Sequence, residues 1–449
     1  MKIKALARSQ RLETMERSHE MVGRNLDASV HPFAEAREFQ RSIVAAKLDR
    51  MMAKPFICAL DAHRDGVTCL ACPRLQGSIG RAVSGAGDGA LKVWDLARKE
   101  CVFTEESAHS FARGVCFTMN GQEFLSCGDR SVKRWNPMME EKLVQTWTGV
   151  GPHAGTLNDV DASFASDGGF CTASAEGFVE IWDSERTTAL RAWQWGEASV
   201  YKARWNPAEI TTLAGCTRDR SLILYDVRQK EPIRKVVLSA KANALAWNPR
   251  DPLSLVVGRE DAKAALFDVR FLKVPKCLYE DHVSPITDIT FAPTGLEFAT
   301  ASADKTLRVF KVRGDGVGRS RDVYHTHRMQ ALTAVRYSPD ATYILSASDD
   351  ANVRLWKAQA SKKIGPLHPR ERDAINYRTA LLQKHKHMPD VKRIVRSRHL
   401  PKLVKKLKAK SNLQKDKEKR KLSQTVKHSR PGSATTTPAR EKSVIRELE

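Results

Sequence analysis

Short runs of alternating apolar and polar residues recur along the chain from residue 60 to residue 357. Segments such as Leu91–Trp94 (L-K-V-W) and Leu307–Phe310 (L-R-V-F) have the two-residue period of half-buried strands. In each repeat an acidic residue lies six positions before an aromatic residue. The seven pairs are Asp88 and Trp94, Asp129 and Trp135, Glu176 and Trp182, Asp219 and Tyr225, Asp261 and Phe267, Asp304 and Phe310, and Asp350 and Trp356.

These repeats predict the blades of a β-propeller. Successive aromatic positions are separated by 41, 47, 43, 42, 43 and 46 residues. Periods of about 40–45 residues that end in an aromatic residue are typical of four-stranded WD-repeat blades. We therefore predict an all-β fold, a seven-bladed WD-repeat β-propeller, for residues 55–360. The second blade (S-C-G-D, residues 126–129) has a turn one residue shorter than the others.

The ends of the propeller are predicted to meet in the last blade. After Trp356 no outer strand follows, so the seventh blade is one strand short. The apolar run at residues 55–60 (P-F-I-C-A-L) directly precedes the first blade. We expect it to supply the missing strand, because closing the ring removes an exposed sheet edge.

The segments on either side of the propeller have a different composition. Residues 1–54 are predicted to form an N-terminal arm that is partly helical, with Phe39, Ile43 and Leu48 along Glu35–Met51. This arm either lies across another surface or packs as a short helix on the side of the propeller. Residues 361–429 predict a basic α-helical extension, and residues 430–449, which contain few apolar side chains, predict a disordered tail.

Positive charge is concentrated at the carboxyl end. The net charge is +23, and residues 361–449 contain 26 Lys and Arg against 8 Asp and Glu, whereas residues 61–360 contain 38 against 37. A neutral body with a basic end indicates a polyanionic partner, most often nucleic acid, although a solvated charge run or a nuclear import signal is the alternative. The residues that we expect to contact RNA or an RNA–protein particle are Arg393, Arg396, Arg398, His399, Lys402, Lys405, Lys406 and Lys408.

The polar residues of the repeats do not indicate an active site. His63, Ser84 and Asp88 have the composition of a catalytic triad, but a catalytic set occurs once, whereas the turn acid recurs in every blade. We therefore expect a hydrogen-bonded network within each blade, and no enzyme activity. The structural blade residues are His63, Ser84, Asp88, Trp94, Asp129, Trp135, Trp182, Asp219, Asp304, Asp350 and Trp356.

Cofactors and metals are not predicted either. The nine cysteines occur singly, as reduced thiols do in nuclear or cytosolic proteins. Cys69 and Cys72 form a lone C-x-x-C without a second pair at zinc spacing. No apolar run reaches the roughly 18 residues of a membrane span. The sequence thus predicts no cofactor, no membrane partner and no small-molecule substrate.

Two consecutive blades end in a D-x-R sequence, Asp226-Val227-Arg228 and Asp268-Val269-Arg270. Each resembles the W-D-x-R box by which some WD-repeat proteins dock on the adaptor of a cullin-RING ubiquitin ligase, with Tyr225 and Phe267 in place of Trp. The alternative interpretation is an ordinary Asp–Arg pair within each blade. The resemblance implies docking on the adaptor through Asp226, Arg228, Asp268 and Arg270.

Almost the whole chain is similar to the Sof-type WD-repeat proteins. The resemblance rests on M-K-I-K-A-L-A-R at residues 1–8, H-P-F at 31–33 and A-K-P-F at 53–56. It also rests on V-Y-H-T-H-R-M-Q at 323–330, and on R-I-V-R-S-R-H-L-P-K at 393–402 and V-K-H-S-R-P-G-S at 426–433. The motifs of the extension are far more specific than the repeats.

This resemblance implies a nuclear and nucleolar scaffold in ribosome biogenesis. Sof-type proteins belong to the U3 small nucleolar ribonucleoprotein and the small-subunit processome, which act in rRNA processing toward 18S rRNA. The implied partners are pre-ribosomal RNA and processome proteins. Some members resemble substrate receptors of a cullin-4 type ligase, which is the alternative function.

Overall fold

The computed structural model of the chain describes residues 33–74, 80–139, 142–148, 155–165, 168–312, 314, 316–430 and 440–448. The motif at residues 1–8, the residues His31 and Pro32, and His153, which belongs to the third repeat, lie outside the described residues. So does most of the N-terminal arm, of which the structure describes residues 33–54.

Seven sheets, counted over the described residues, form the predicted propeller, and the four strands of each blade pair antiparallel. The first blade consists of β2 Val67–Ala71, β3 Arg81–Ala86, β4 Leu91–Asp95 and β5 Glu100–Glu105. The second consists of β6 Gly114–Phe117, β7 Phe124–Gly128, β8 Ser131–Trp135 and β9 Leu143–Thr148. The third consists of β10 Leu157–Ala162, β11 Phe170–Ser174, β12 Phe178–Trp182 and β13 Arg191–Gln194. The fourth and fifth are β14 Val200–Trp205, β15 Thr212–Thr217, β16 Ser221–Asp226 and β17 Arg234–Leu238; and β18 Ala242–Trp247, β19 Ser254–Arg259, β20 Ala264–Asp268 and β21 Cys277–Tyr279. The sixth consists of β22 Ile286–Phe291, β23 Glu297–Ser302, β24 Leu307–Lys311 and β26 Ser320–Tyr324. The seventh consists of β27 Leu332–Tyr337, β28 Tyr343–Ser348, β29 Val353–Lys357 and β1 Phe56–Leu60.

One further strand is added at the outer edge of each of the fourth and fifth blades. Strand β30 (Val444–Leu448) pairs antiparallel with β17, and β25 (Gly316–Gly318) pairs parallel with β21. The first strands of consecutive blades contact one another, and β2 contacts β27. The blades therefore follow one another in a closed ring.

Strand β1 supplies the outer strand of the seventh blade, in the position predicted for residues 55–60. It runs antiparallel to β29, with Leu60 opposite Val353 and Phe56 opposite Trp356. Phe56 and Trp356 also meet edge to face, with 5.5 Å between ring centroids. Leu60 is buried in a cluster that includes Trp94 of the first blade and Leu345 of the seventh. This strand therefore joins both ends of the ring through backbone pairing and apolar packing.

The turn between the second and third strands places one residue in the left-handed region in each blade. That residue follows the acid in six blades: Gly89, Gly177, Arg220, Ala262, Lys305 and Ala351. In the second blade it is the acid itself, Asp129, with φ of 48°. Asp tolerates this conformation better than most residues because its short side chain can form local hydrogen bonds. The shorter turn predicted at residues 126–129 thus shifts the left-handed position by one residue.

The polar network of the blades is assembled differently from blade to blade. In the first blade, Ser84 Oγ lies 2.6 Å from His63 Nε2 and accepts a hydrogen bond from Trp94 Nε1 at 2.7 Å. Asp88 instead accepts the backbone N–H of Ala90, at 3.1 Å, and has no recorded bond to His63. The expected His–acid link is present in the sixth blade, where His282 Nδ1 lies 2.9 Å from Asp304.

The same hydroxyl position accepts the indole N–H in the other Trp-containing blades. The bonds join Trp135 to Ser126 at 2.8 Å, Trp182 to Thr172 at 3.0 Å and Trp356 to Ser346 at 2.8 Å. Asp350 has another partner, because its carboxylate pairs with Arg354. Asp219 lies in the turn after β15, beside the left-handed residue Arg220. The indole N–H groups thus find their acceptors inside their own blades, which is a structural role.

Glu180 in β12 gives the propeller a pH-dependent element. It is 1% exposed, and burial raises the pKa of its carboxyl from 4.5 to about 7. Because the folded protein holds this proton more tightly than the unfolded chain does, its stabilising contribution is complete below pH 4.5 and is lost as the pH rises through about 7.

We expect Glu180→Gln to stabilise the protein at pH 8 by up to roughly 3 kcal/mol and to have little effect at pH 4.5. Gln keeps the shape and the polar atoms of Glu without a carboxylate that burial disfavours. Thermal unfolding at the two pH values measures the difference. The exposed Glu185→Gln in the same blade is the matched control. An equal effect of Glu180→Gln at both pH values would contradict this account.

Four helices flank the propeller in the described sequence: α1 Ala34–Met51, α2 Pro369–Lys384, α3 Pro389–Arg396 and α4 Lys402–His428. Residues 33–52 and 363–397 form one compact unit, and residues 53–362 and 398–448 form another. The predicted extension 361–429 therefore divides after Ser397. The division follows the apolar residues, because α1 packs against α2 and α3 through buried Ala45, Ala46, Leu381 and Val391.

Candidate partner-binding surfaces

The first two predicted RNA-contacting residues belong to the three-helix unit of α1, α2 and α3. Arg393 and Arg396 lie in the last turns of α3, and both are exposed. The carbonyl of Val395 accepts a hydrogen bond from Arg50 of α1 at 2.7 Å. Packing of α1 against α3 thus fixes the helix, while its two arginines remain available to solvent.

The next two residues contact the propeller. The guanidinium of Arg398 donates to the Arg321 carbonyl and lies 3.5 Å from the Asp322 carboxylate, both in β26. The ring of His399 stacks on that of His325, with 5.3 Å between centroids. Arg398 and His399 therefore attach the start of the C-terminal segment to the sixth blade, a role that sequence reasoning did not assign to them.

Helix α4 is held against the propeller near its start. Val404 is buried, Lys408 Nζ lies 3.1 Å from Asp281 and Lys415 Nζ lies 2.9 Å from Glu280. Burial alone would raise the pKa of Asp281, but the Ser320 N–H and the Lys408 ammonium outweigh it and hold that pKa below its usual value. Lys408 is thus an anchor of the helix rather than a free cation.

Most other cationic side chains of α4 face solvent. The helix contains eleven Lys and Arg against two acidic residues. Lys402, Lys405 and Lys406, which the sequence singled out, are all exposed. The predicted RNA-contacting set therefore separates into exposed Arg393, Arg396, Lys402, Lys405 and Lys406 and the engaged Arg398, His399 and Lys408.

Residues 441–448 form regular secondary structure, which corrects that part of the disordered tail expected at residues 430–449, whereas residues 431–439 and 449 lie outside the described residues. A 3-10 turn at Glu441–Ser443 leads into β30, which pairs with the outer edge of the fourth blade. The carbonyl of Ser443 accepts the Ser239 N–H at 2.9 Å, and Glu447 lies 3.6 Å from Arg234. The open edge of β17 supplies the pairing that a short polar segment cannot make alone.

The two D-x-R sequences occupy equivalent turns between the third and fourth strands but differ in their contacts. Asp268 is 3% exposed and pairs with Arg270 at 3.1 Å and Lys276 at 2.9 Å. Burial would raise the pKa of Asp268, but these cationic donors hold it well below its usual range. In the fourth blade, Asp226 accepts the backbone N–H of Arg228 at 3.0 Å. The Arg228 side chain is exposed and has no recorded polar partner among the described residues.

Sequence reasoning missed the acidic residues that hold the C-terminal segment. Glu280 and Asp281 follow β21, and Asp322 lies in β26. Their partners are separated by 135, 127 and 76 positions, so no local spacing reveals the pairs. A signal for β30 was present in V-I-R-E-L, whose apolar ends flank two charged residues.

Comparison with known proteins identifies the family. A model described as a Sof1-like domain matches residues 358–444, and the model of the WD domain, G-beta repeat, matches residues 54–95, 99–136, 274–311 and 318–357. The chain is 39% identical over 457 residues to "DDB1- and CUL4-associated factor 13" of Danio rerio, with all of both chains covered. The chain belongs to the Sof1-like family of WD-repeat proteins.

Other Sof1-like relatives cover the chain to a similar extent. "DDB1- and CUL4-associated factor 13" of Homo sapiens is 38% identical over 453 residues, which is 99% of each chain. "Protein SOF1" of Saccharomyces cerevisiae is 34% identical over 445 residues, with 92% of this chain and 88% of the relative covered. The Sof1-like domain spans α2, α3 and α4 and begins β30, so it crosses both compact units.

No group of three or more His, Cys, Asp or Glu residues in the described ranges is arranged to hold a metal ion. None of the described helices combines the length and apolar character that crossing a membrane requires. Burial raises the pKa of Cys69 to about 11 and that of Cys72 to about 12, so both thiols stay protonated at neutral pH.

Proposed function

We propose that this protein is a non-enzymatic ribosome-biogenesis factor of the nucleus and nucleolus. It acts as a scaffold of the U3 small nucleolar ribonucleoprotein and small-subunit processome in pre-rRNA processing to 18S rRNA. The observation that carries the proposal is α4, a 27-residue helix with eleven Lys and Arg, which is anchored near its start and exposed along its length. Membership of the Sof1-like family supports the choice of particle.

The geometry of α4 suits a polyanion without base readout. A helix of 27 residues is about 40 Å long. Lys and Arg that neutralise phosphates gain affinity by releasing counterions, and such contacts need no specific sequence. The ion pairs of Lys408 and Lys415 set the position of the helix on the propeller, so the remaining cations are presented from a defined surface. Processome proteins then dock on the blades, and α4 meets pre-ribosomal RNA.

Neutralising exposed lysines of α4 tests this function. We expect the triple variant Lys405→Gln, Lys406→Gln and Lys410→Gln to leave the propeller folded and to lose association with pre-ribosomal particles in sedimentation at moderate salt. In binding to a single-stranded pre-rRNA fragment, the slope of log affinity against log salt should fall by about 2, because each phosphate contact contributes roughly 0.7.

A control triple variant has the same charge change elsewhere. Lys99, Lys230 and Lys273 are exposed residues of the propeller, and replacing them by Gln should leave sedimentation and the salt slope unchanged. If the α4 variant still sediments with the particles as the unmodified protein does, α4 is not the RNA-binding surface.

A second function, as substrate receptor of a cullin-4 type ubiquitin ligase, is favoured by a separate observation. The exposed Arg228 side chain projects from the D-x-R turn of the fourth blade with no polar partner recorded among the described residues. Relatives with 38–39% identity are named for association with DDB1 and CUL4. In this role the same propeller would present Arg228 to the ligase adaptor.

A further inference from the structure

The three-helix unit of α1, α2 and α3 carries a groove that the proposed functions do not use. It runs between α1 and α2 and has a volume of about 460 Å³. On α1 it is lined by residues at helical spacing from Arg37 to Leu48, a length of about 16 Å or three turns. We call this feature the α1–α2 groove. Its lining residues are Arg37, Gln40, Arg41, Val44, Ala45, Leu48, Ala374, Tyr377, Arg378 and Leu381.

The floor of the groove is apolar, and its cations have no acidic partners among the described residues. Val44 is 48% exposed and Tyr377 is 51% exposed, so the groove presents aliphatic and aromatic surface to solvent. Arg37, Arg41 and Arg378 are exposed, and none forms a recorded ion pair with a described residue. Arg41 donates a hydrogen bond to the Tyr377 hydroxyl at 3.5 Å.

The groove is held open by the packing of the two helices. Lys384 at the end of α2 pairs with Glu38 at the start of α1, and the Phe39 ring lies 6.2 Å from that of His385. These contacts, together with buried Ala45 and Leu381, set the antiparallel arrangement of the helices. The acidic residue nearest in sequence to the groove, Glu38, is already engaged by Lys384. The lining is therefore preformed and positively charged.

We propose that the α1–α2 groove binds an acidic amphipathic helix of a partner protein. An apolar floor about three turns long matches a helix that presents side chains at i, i+3 or i+4 and i+7. Glu and Asp flanking that apolar face would pair with Arg37, Arg41 and Arg378 at the rim.

Charge complementarity favours an acidic helix of a partner protein over a second copy of this chain, residues 1–32 or RNA. A second copy of the unit would bring arginines against arginines, and like charges in contact are costly. Residues 1–32 of the same chain contain six Lys and Arg against four Asp and Glu, so they are also net positive. RNA would satisfy the arginines but would gain nothing from the aliphatic floor of Val44, Leu48 and Leu381. An acidic amphipathic helix satisfies both the rim and the floor.

Site-specific crosslinking in the full-length protein tests the proposal. A photoreactive amino acid is placed at Val44 in cells, and the crosslinked peptides are sequenced. We expect peptides of another protein in which apolar residues recur every three to four positions and Asp and Glu outnumber Lys and Arg. In the Arg41→Glu and Arg378→Glu double variant the yield of this crosslink should fall at least tenfold. Crosslinks to residues 1–32, to a second copy or to RNA would overturn the proposal.

A control variant distinguishes loss of the groove arginines from a general effect on the helices. Arg372→Glu reverses an exposed charge on α2 outside the groove and should leave the crosslink unchanged. Circular dichroism and thermal unfolding of both variants report whether the helices remain. An equal loss in the control and the double variant would show that general charge, rather than the groove, captures the partner. The lysine variant of α4 leaves this crosslink in place, so the outcome is independent of RNA binding.

Discussion

Deletion of residues 1–60 is expected to lower the melting temperature by about 10 °C or more relative to deletion of residues 1–54. The two truncations differ by Pro55 and strand β1. Without β1, the β29 edge of the seventh blade is left unpaired, and an open edge is a site of aggregation. The buried side chain of Leu60 and the ring contact of Phe56 with Trp356 are lost together with the backbone pairing.

Thermal unfolding and light scattering of the two truncations measure this difference. Leu60→Ala in the full-length protein provides a milder version, because truncating a buried Leu costs about 2–5 kcal/mol. As a matched control, Val102→Ala truncates an aliphatic residue that is 60% exposed in β5. Equal melting of the 1–54 and 1–60 truncations would show that β1 does not close the ring.

The propeller could be predicted from the sequence because the residues that define each blade lie close together in the chain and recur in every repeat. The acid of each turn and the aromatic residue six positions later belong to one hairpin, so their spacing survives in every blade. The missing outer strand of the seventh blade could be found by counting strands, since each blade has four. The second turn was also seen to be one residue shorter, but the residue that adopts the left-handed conformation, Asp129, is known only from the structure.

The placement of the basic segment could not be predicted in the same way. Composition identified the cations but not which of them face solvent. Lys408 and Arg398 are held by Asp281 and Asp322, and these pairs depend on how the folded blades bring distant residues together. Helix α3 contributes the buried Val391, but its partner α1 lies more than 300 positions earlier in the chain. Division after Ser397 therefore emerges only from the folded structure.

The two D-x-R turns illustrate the same limit, and they lead to the second prediction. By sequence they are equivalent, but in the structure Arg270 is engaged by Asp268 while Arg228 is exposed without a recorded side-chain bond to the described residues. An arginine that is already paired with a buried carboxylate must break that ion pair before it can bind a partner protein. We therefore expect Arg228 to supply most of any adaptor affinity and Arg270 mainly to stabilise its own turn.

Arg228→Ala is accordingly expected to weaken binding to a DDB1-type adaptor by about 30-fold, which corresponds to the roughly 2 kcal/mol of a hot-spot arginine. Binding of full-length protein to purified adaptor measures the effect. Arg218→Ala is the matched control, because Arg218 is an exposed residue of the same blade in the turn at the opposite end of β16.

Unchanged binding of a folded Arg228→Ala variant would remove this docking role. Equal losses for both substitutions would indicate attraction by general charge. Because Arg228 is outside α4, the variant should keep its association with pre-ribosomal particles, so the two functions are separable by single substitutions on one chain.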